Sequence, residues 1–292
     1  MLDCSGDRNS VPFFDEQRAF TYLVDQCEFG PRVPNSPGHR QCKEYLYQQL
    51  SATSTRVNRQ DFTYYDTTAG DNLLLTNLIA SYNVENKNRI LLCAHWDTRP
   101  WADNDPDSSR HREPVLGAND GASGVAVLLE IANGFKDAPP PLGIDIVFFD
   151  GEDYGMTGTT TGWLLGSKFF TRNIGSYRPY FVVLSDMVGD ADLNIYKEHY
   201  SQVYAGWLVS LIWEAARREN AEHFYPEIRH TVYDDHVPFL ELGIPAADLI
   251  DMDYKWWHTV EDTPDKCSPA SLREVGRVVL RVIYDEGLRG QK

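Results

Sequence analysis

A predicted strand in the middle of the chain is followed directly by three acidic residues. The run 144–149 has the length and apolar content of a buried strand, and Asp150, Glu152 and Asp153 come next, with Gly151 as the only spacer. Because ligands of open α/β sheets bind at the carboxyl ends of the strands, acids at this position are candidates for metal binding or proton transfer. The alternative, for this run taken alone, is a solvated acidic turn.

Other residues of metal-ligand type also follow predicted strands or lie in adjacent loops. They are His95, Asp97, Asp120, Asp186 and His258. Asp120 lies just before a predicted helix, where it could simply cap the helix N-terminus. The recurrence of such residues at strand ends makes a shared site the better interpretation of the set. Imidazole and carboxylate ligands without nearby thiolates are typical of a catalytic zinc, and of two adjacent acids one can bind the metal while the other transfers protons.

The elements that position these residues are predicted from apolar periodicity. Strands are expected over residues 57–65, 73–82, 89–95, 144–149, 180–186 and 244–250, and the longer helices over 14–27, from 36, over 125–134, from near 201 and from 268. This alternation predicts an α/β fold, a three-layer α/β/α sandwich with a central twisted mixed, mostly parallel sheet. No linker or internal repeat interrupts the chain, so we expect residues 1–292 to form a single domain.

Composition and charge exclude several classes of protein. The chain has 43 acidic and 27 basic residues and a formal net charge of -16, which argues against nucleic acid or an anionic membrane surface as a partner. No apolar run reaches the roughly 18 residues of a membrane-spanning helix. The five cysteines form no C-x-x-C pair, and Cys27 and Cys42 could form a disulfide or remain buried free thiols.

Several ordered motifs resemble those of the zinc aminopeptidase-like α/β family, which includes two-zinc aminopeptidases and animal-type glutaminyl cyclases. The shared motifs are His95-Trp-Asp, Gly117-Ala-Asn-Asp-Gly-Ala-Ser-Gly, Phe148-Phe-Asp-Gly-Glu-Asp, Leu184-Ser-Asp-Met-Val-Gly and Trp257-His-Thr. Asp234-Asp-His-Val-Pro-Phe and Trp256-Trp-His-Thr-Val-Glu-Asp-Thr are more similar to the cyclases, in particular to their bacterial members. The resemblance extends from about residue 14 to the last helix.

The resemblance implies a role for each site residue. It makes Asp120, Asp153 and His258 the ligands of one Zn²⁺ per chain and Glu152 the general base and acid. Asp186 and Asp234 resemble the two carboxylates that hydrogen-bond with that base. Trp257 resembles the aromatic wall of the substrate pocket, and we expect Trp101, in the long loop 99–116, to contact substrate as well.

The implied reaction is the cyclisation of an N-terminal glutamine of a peptide or protein to pyroglutamate, with release of ammonia. The expected partner is therefore the peptide substrate, and the protein itself is expected to be a monomer. The first residues show no signal-peptide pattern, so the protein is either cytoplasmic or exported after removal of a signal. Bacterial members are typically exported, which favours a periplasmic or secreted protein.

Three positions depart from the pattern of the animal cyclases. Asp153 stands where they have glutamate, Asp248 stands where they have histidine, and the loop after Asp153 lacks their tryptophan. An M28-type two-zinc aminopeptidase is the alternative, in which His95 and Asp186 would bind a second metal bridged by Asp120. A catalytically inactive binding domain of the same fold is a further alternative, and it would be expected to have lost a ligand or the base.

Overall fold

The computed structural model describes residues 11–289, in which strands and helices alternate. Its strands are β1 (Arg56–Asp66), β2 (Asp71–Tyr82), β3 (Arg89–His95), β4 (Gly143–Phe149), β5 (Val182–Asp186), β6 (Ile195–Lys197), β7 (Phe224–Ile228) and β8 (Ala246–Ile250). Its α-helices are α1 (Glu16–Glu28), α2 (Pro37–Thr53), α3 (Ala122–Gly134), α4 (Leu165–Arg172), α5 (His199–Glu219), α6 (Val237–Glu241) and α7 (Pro269–Arg289). Short 3₁₀ turns cover Ser108–Arg110 and Pro264–Lys266.

Six strands form the central sheet, in the order β1-β2-β4-β3-β5-β8. Strands β4, β3, β5 and β8 run parallel to one another, whereas β1 and β2 add an antiparallel edge next to β4. The predicted mixed, mostly parallel sheet is confirmed. Because β3, β4 and β5 are parallel neighbours, their carboxyl ends meet at one edge of the sheet, where the predicted site residues follow.

Alternating side chains of β3 show how the sheet forms the middle layer. Ile90 and Leu92 belong to the large core cluster that includes residues of α1, α2, α3, α5 and α7. Leu91 and Cys93 point to the opposite face and pack in a smaller cluster with residues of α4 and α6. Both faces of the strand are therefore buried, which explains its continuous apolar sequence and confirms the three-layer architecture.

Sequence signals at the ends of helices and strands predicted most element boundaries to within a few residues. Ser36 caps α2 by accepting a hydrogen bond from the His39 N–H, and Pro37 occupies the first turn, as predicted. The small parallel sheet of β6 and β7 was not predicted, because both strands are short and β7 contains Pro226.

The cysteine alternatives are also resolved for the described part of the chain. Cys27 and Cys42 are buried free thiols, so the disulfide alternative is wrong. Burial raises the pKa of Cys27 to about 11. Cys4 lies outside the described residues. Between residues 11 and 289, no helix combines the length and apolar character needed to cross a membrane.

Candidate active site

The acidic turn after β4 is buried. The exposed fraction is 8% for Glu152 and 2% for Asp153, and Asp150 has no exposed surface, so the interpretation of this run as a solvated turn is wrong. Glycine is favoured at position 151, because its φ of 72° is in the left-handed region and a Cβ would lie 3.1 Å from Leu75 Cδ1. The turn therefore delivers two carboxyl groups to the carboxyl edge of the sheet.

Asp97 and Asp150 both accept hydrogen bonds that stabilise the surroundings of this turn. Asp97 accepts hydrogen bonds from the backbone N–H groups of Glu152 (3.0 Å) and Asp153 (3.2 Å). Asp150 points elsewhere, because it accepts a hydrogen bond from the Thr76 N–H (2.6 Å) and lies 2.8 Å from His39 Nε2. Asp150 thus has the contacts of a structural residue that links β2, α2 and β4.

Asp120, Asp153 and His258 form one group of potential metal ligands, with one ligand atom from each within 4.8 Å of the others. The Nε2 atom of His258 lies 3.3 Å from Asp153 Oδ1 and 3.7 Å from Asp120 Oδ2. Asp153 Oδ2 is buried and accepts no hydrogen bond from any described residue. A buried acceptor without a donor is unfavourable, so two carboxylates and an imidazole in this arrangement fit a zinc ion.

Further side chains orient two of these ligands. Asp262 accepts hydrogen bonds from the N–H groups of Asn119 (2.8 Å) and Asp120 (3.1 Å). The cap position of α3 is Gly121, with a φ of 102°, and no side chain caps the helix. Asp120 is therefore not the N-cap of this helix, and its carboxylate is free to face the cavity. The Nδ1 atom of His258 lies 3.6 Å from Asp103 Oδ1, and such a carboxylate orients the ring of a metal-binding histidine.

Arg99 is a buried residue of the site that the sequence reasoning missed. Its Nη1 atom lies 3.1 Å from Asp153 Oδ1 and donates to the Gly155 carbonyl at 3.1 Å, while its Nε and Nη2 atoms bind Asp103. Burial opposes ionisation of Asp103, but hydrogen bonds from Arg99 and Thr157 outweigh it and lower the pKa to about 2. The only sequence signal is an Arg and an Asp four residues apart at the start of the long loop.

A second group of potential ligands shares Asp120. The Nε2 atom of His95 lies 3.0 Å from Asp186 Oδ1 and 3.1 Å from Asp120 Oδ1, and all three residues are buried. Both ligand groups predicted from the sequence thus lie together at the edge formed by β3, β4 and β5.

Glu152 and Asp234 lie beside the first ligand group, in the lining of the same cavity. Burial raises the pKa of Glu152 well above its usual range; the nearby His95 opposes this, and the carboxylates of Asp153 and Asp234 add to it. Burial and the neighbouring carboxylate of Asp186 likewise raise the pKa of Asp234. A carboxyl group in such surroundings holds a proton more readily, which suits a group that accepts and returns one.

The cavity has a volume of ≈ 450 Å³, and indole rings form part of its wall. Trp257 lines it, as predicted, and the ring centroid of Trp257 lies 4.1 Å from that of His258. Trp101 does not belong to the lining and packs against Tyr154, so the structure does not support the predicted substrate contact of Trp101. Trp163 lines the cavity instead, with its ring stacked at 14° to that of His258.

Comparison with known proteins places this arrangement in a family. The model of peptidase family M28 matches residues 77–283, which include both ligand groups. The chain belongs to peptidase family M28. Structures with this fold include a Bacteroides thetaiotaomicron glutaminyl cyclase bound to N-acetylhistamine, 42% identical with a TM-score of 0.90, covering 94% of this chain and 99% of that one.

Two other similar proteins are named after different enzymes. A Zn-dependent exopeptidase from Parabacteroides distasonis is 38% identical with a TM-score of 0.90, covering 94% of this chain and 100% of that one. A glutaminyl-peptide cyclotransferase-like protein from Bos taurus is 25% identical over 277 residues, covering 85% of this chain and 70% of that protein. A zinc ion is therefore consistent both with the similar Zn-dependent exopeptidase and with the two groups of potential ligands in this chain.

Trp163 was missed because it lies ten residues after Asp153, in a loop without periodicity. Gly155 is the one signal that bears on it, since a Cβ at Gly155 would lie 1.9 Å from Trp163 Cδ2. A glycine two residues after Asp153 therefore leaves room for the ring of Trp163 in the wall of the cavity.

Proposed function

We propose that this chain is a zinc-dependent glutaminyl-peptide cyclotransferase, which converts the N-terminal glutamine of peptides and proteins to pyroglutamate and releases ammonia. One observation carries the proposal: a ligand group of three residues, a buried glutamate and two indole walls share one cavity, in a chain 42% identical to a glutaminyl cyclase. The proposal takes residues 1–292 as one catalytic domain, supported by the packing of α1 against both α3 and α7.

Asp120, Asp153 and His258 would hold one zinc ion per chain. When bound, the zinc would polarise the oxygen of the glutamine side-chain amide and stabilise negative charge that develops on it. Asp153 is one methylene shorter than the glutamate of the animal cyclases. Its contact with Arg99 supports the proposal that this shorter side chain is held in place by the protein.

Glu152 would move the protons of the reaction. The α-amine nitrogen attacks the amide carbon, the C–N bond to the leaving nitrogen breaks, and one proton passes from the amine through Glu152 to that nitrogen. Glu152 lines the cavity next to Asp153, and its raised pKa supports this role. Asp186 and Asp234 line the same cavity and would act on the substrate nitrogen or on Glu152 by hydrogen bonding.

The indole rings would hold the substrate in the conformation that reacts. The nucleophile and the electrophile belong to the same residue, so binding a folded glutamine conformer brings them together at little further entropic cost. Trp257 and Trp163 both line the cavity, which supports a role as walls around the glutamine side chain.

A two-zinc aminopeptidase is the second candidate, because the ligands for a second metal are intact. His95, Asp120 and Asp186 form the second ligand group, and the relative from Parabacteroides distasonis is a Zn-dependent exopeptidase. An inactive binding domain would be expected to have lost a ligand or the base, and this chain has lost none of them.

Incubation with Gln-Xaa and Leu-Xaa dipeptides tests the proposal. Ammonia release from the first, with the peptide bond intact, is expected of a cyclotransferase, whereas cleavage of the second would identify an aminopeptidase. Metal analysis of the purified protein provides a separate measurement. About one zinc per chain is expected, and two tightly bound zinc ions would favour the aminopeptidase.

The proposal extends to a monomer that acts on peptides in the periplasm or outside the cell. Glutaminyl cyclases from several bacteria are among the similar structures, which supports a bacterial origin for this chain. Size-exclusion chromatography and cell fractionation test these two points.

A further inference from the structure

Two grooves continue from the active-site cavity and run along α4. The first groove, of ≈ 410 Å³, shares Thr160 and Tyr233 with the cavity lining. The second, of ≈ 290 Å³, shares Thr160 and Trp163 with it. A peptide whose first residue occupies the cavity therefore has a continuous path over the surface beside α4.

Lys168 and Arg172 line both grooves. They are four residues apart on α4, so they lie on the same side of the helix. Burial and the like charge of Arg172 lower the pKa of Lys168. The two cations thus lie close enough to act on one ligand.

Neither cation forms an ion pair with a carboxylate of the described chain. Arg172 is exposed, and its side chain has no hydrogen bond or ion pair between residues 11 and 289. Lys168 Nζ donates to the Trp163 carbonyl (2.9 Å) and lies 5.2 Å from the ring centroid of Tyr233. Glu241 is the only acid in the described lining of the two grooves. Together with Asp235 and Glu152 it acts on Lys168 through its charge but forms no ion pair with it.

The sign of the charge changes between the cavity and the grooves. The cavity lining contains no described Lys or Arg and five carboxyl groups, those of Asp120, Glu152, Asp153, Asp186 and Asp234. A peptide with an amine at its first residue and a carboxylate further along matches this distribution of charge.

We propose that Lys168 and Arg172 form a subsite for a carboxylate one to three residues after the N-terminal glutamine of the substrate. The subsite rests on the proposed function and specifies its substrate class as peptides that carry an acidic group close to their N-terminus. That group is an acidic side chain or, in a very short peptide, the terminal carboxylate. An exposed ion pair of this kind strengthens binding about twofold to fivefold.

Amidated peptides with the N-terminal sequence Gln-Ala-Ala-Ala test the subsite. Glutamate is placed at position 2, 3 or 4 and compared with glutamine at the same position, and kcat/KM for ammonia release is measured. At one of these positions we expect the glutamate peptide to be preferred about twofold to fivefold, and the preference to fall as salt is raised to about 1 M. Equal values at all three positions would overturn the proposal.

Variants identify the cations responsible for the preference. In Arg172→Gln the ratio of kcat/KM for glutamate and glutamine peptides should fall towards one, and Arg172→Glu should favour a lysine at that position. Arg56→Gln is the matched control, since the Arg56 side chain is exposed, forms no hydrogen bond or ion pair in the described chain and lines a groove that shares no residue with the cavity. Retention of the full preference by Arg172→Glu would also overturn the proposal.

Two further comparisons distinguish a terminal carboxylate from an acidic side chain, and failure of the subsite from failure of the proposed function. Free-acid and amidated forms of Gln-Ala and Gln-Ala-Ala show whether a terminal carboxylate occupies the subsite, and an advantage of the free acid would identify that source. The proposed function itself fails only if no Gln-initiated peptide releases ammonia. Ammonia release without any preference for a carboxylate would reject the subsite alone.

Discussion

The guanidinium of Arg99 holds the carboxylate of Asp153, with 3.1 Å between Nη1 and Oδ1. Nη1 also donates to the carbonyl oxygens of Asp153 (3.2 Å) and Gly155 (3.1 Å), so one buried side chain contacts both the carboxylate and the backbone of Asp153. Asp153 Oδ2 is left buried and without a donor in the described chain. Arg99 thus restrains both the side chain and the backbone of one residue of the first ligand group.

Substitution of Arg99 by lysine should weaken zinc binding. Lysine keeps the charge, but its ammonium cannot replace the planar fork that contacts Asp153, Asp103 and the Gly155 carbonyl together. We expect the zinc affinity of Arg99→Lys, measured by chelator competition, to fall about 10- to 100-fold. The free energy of unfolding should fall by about 1–3 kcal/mol.

Arg110→Lys is the control for this substitution. Arg110 forms a largely exposed ion pair with Glu113, so its replacement should change the free energy of unfolding by less than about 0.5 kcal/mol and leave zinc affinity unchanged. If Arg99→Lys is destabilised but binds zinc as tightly as the unmodified protein, the role of Arg99 is structural and the orientation of Asp153 does not depend on it.

Glu152→Gln should abolish turnover while zinc stays bound. Glutamine preserves the size of the side chain and the backbone N–H that donates to Asp97, but its amide cannot accept a proton. Loss of a general base lowers kcat by about 10²- to 10⁴-fold, measured as ammonia release from a Gln-initiated peptide. Zinc content should equal that of the unmodified protein, and Glu113→Gln, at an exposed position, should retain full activity. An active Glu152→Gln protein would exclude the proposed role.

The candidate site residues at strand ends could be found from the sequence because strand periodicity shows where the strands end, whereas their assignment to two ligand groups came from the resemblance to the zinc aminopeptidase-like family. A strand that is buried on both faces has a continuous apolar run, so β3, β4 and β5 are recognisable, and parallel strands bring His95, Asp153 and Asp186 to the same edge. The loops have no such periodicity. Arg99 and Trp163 reach the site through loop conformations that depend on contacts distant in the chain, so their positions could not be predicted.

The tryptophans of the two loops provide a test of this difference. Trp163 lines the cavity and Trp101 does not, so Trp163→Ala should raise KM for a Gln-initiated peptide about tenfold, whereas Trp101→Ala should change it less than about twofold. Steady-state kinetics on both variants at constant zinc content provides the measurement. The reverse order of effects would mean that the substrate binds outside the cavity described above.

Glu198 is expected to stabilise the fold in a pH-dependent way. Its carboxylate accepts hydrogen bonds from the N–H groups of Tyr200 (2.9 Å), Val232 (3.1 Å) and Ser201 (2.6 Å), and it lies 3.3 Å from His236 Nε2. Burial opposes ionisation, but His236 and the backbone donors outweigh it and lower the pKa of Glu198 from 4.5 to about 2. The ionised carboxylate therefore links the start of α5 to the segment around Val232, which forms part of the cavity wall.

The sign of the pH dependence follows from this lowered pKa. The unfolded chain binds a proton at Glu198 at higher pH than the folded chain does, so the stabilisation is complete above about pH 5 and is lost as the pH falls toward about 2. Glu198→Gln should reduce the free energy of unfolding at pH 7 by about 3 kcal/mol and flatten its decline between pH 5 and pH 3, in urea titrations at each pH. Glu222→Gln, exposed and without a hydrogen bond in the described chain, should leave that decline unchanged. If the two variants lose stability with acid in parallel, then Glu198 does not anchor α5 through its charge.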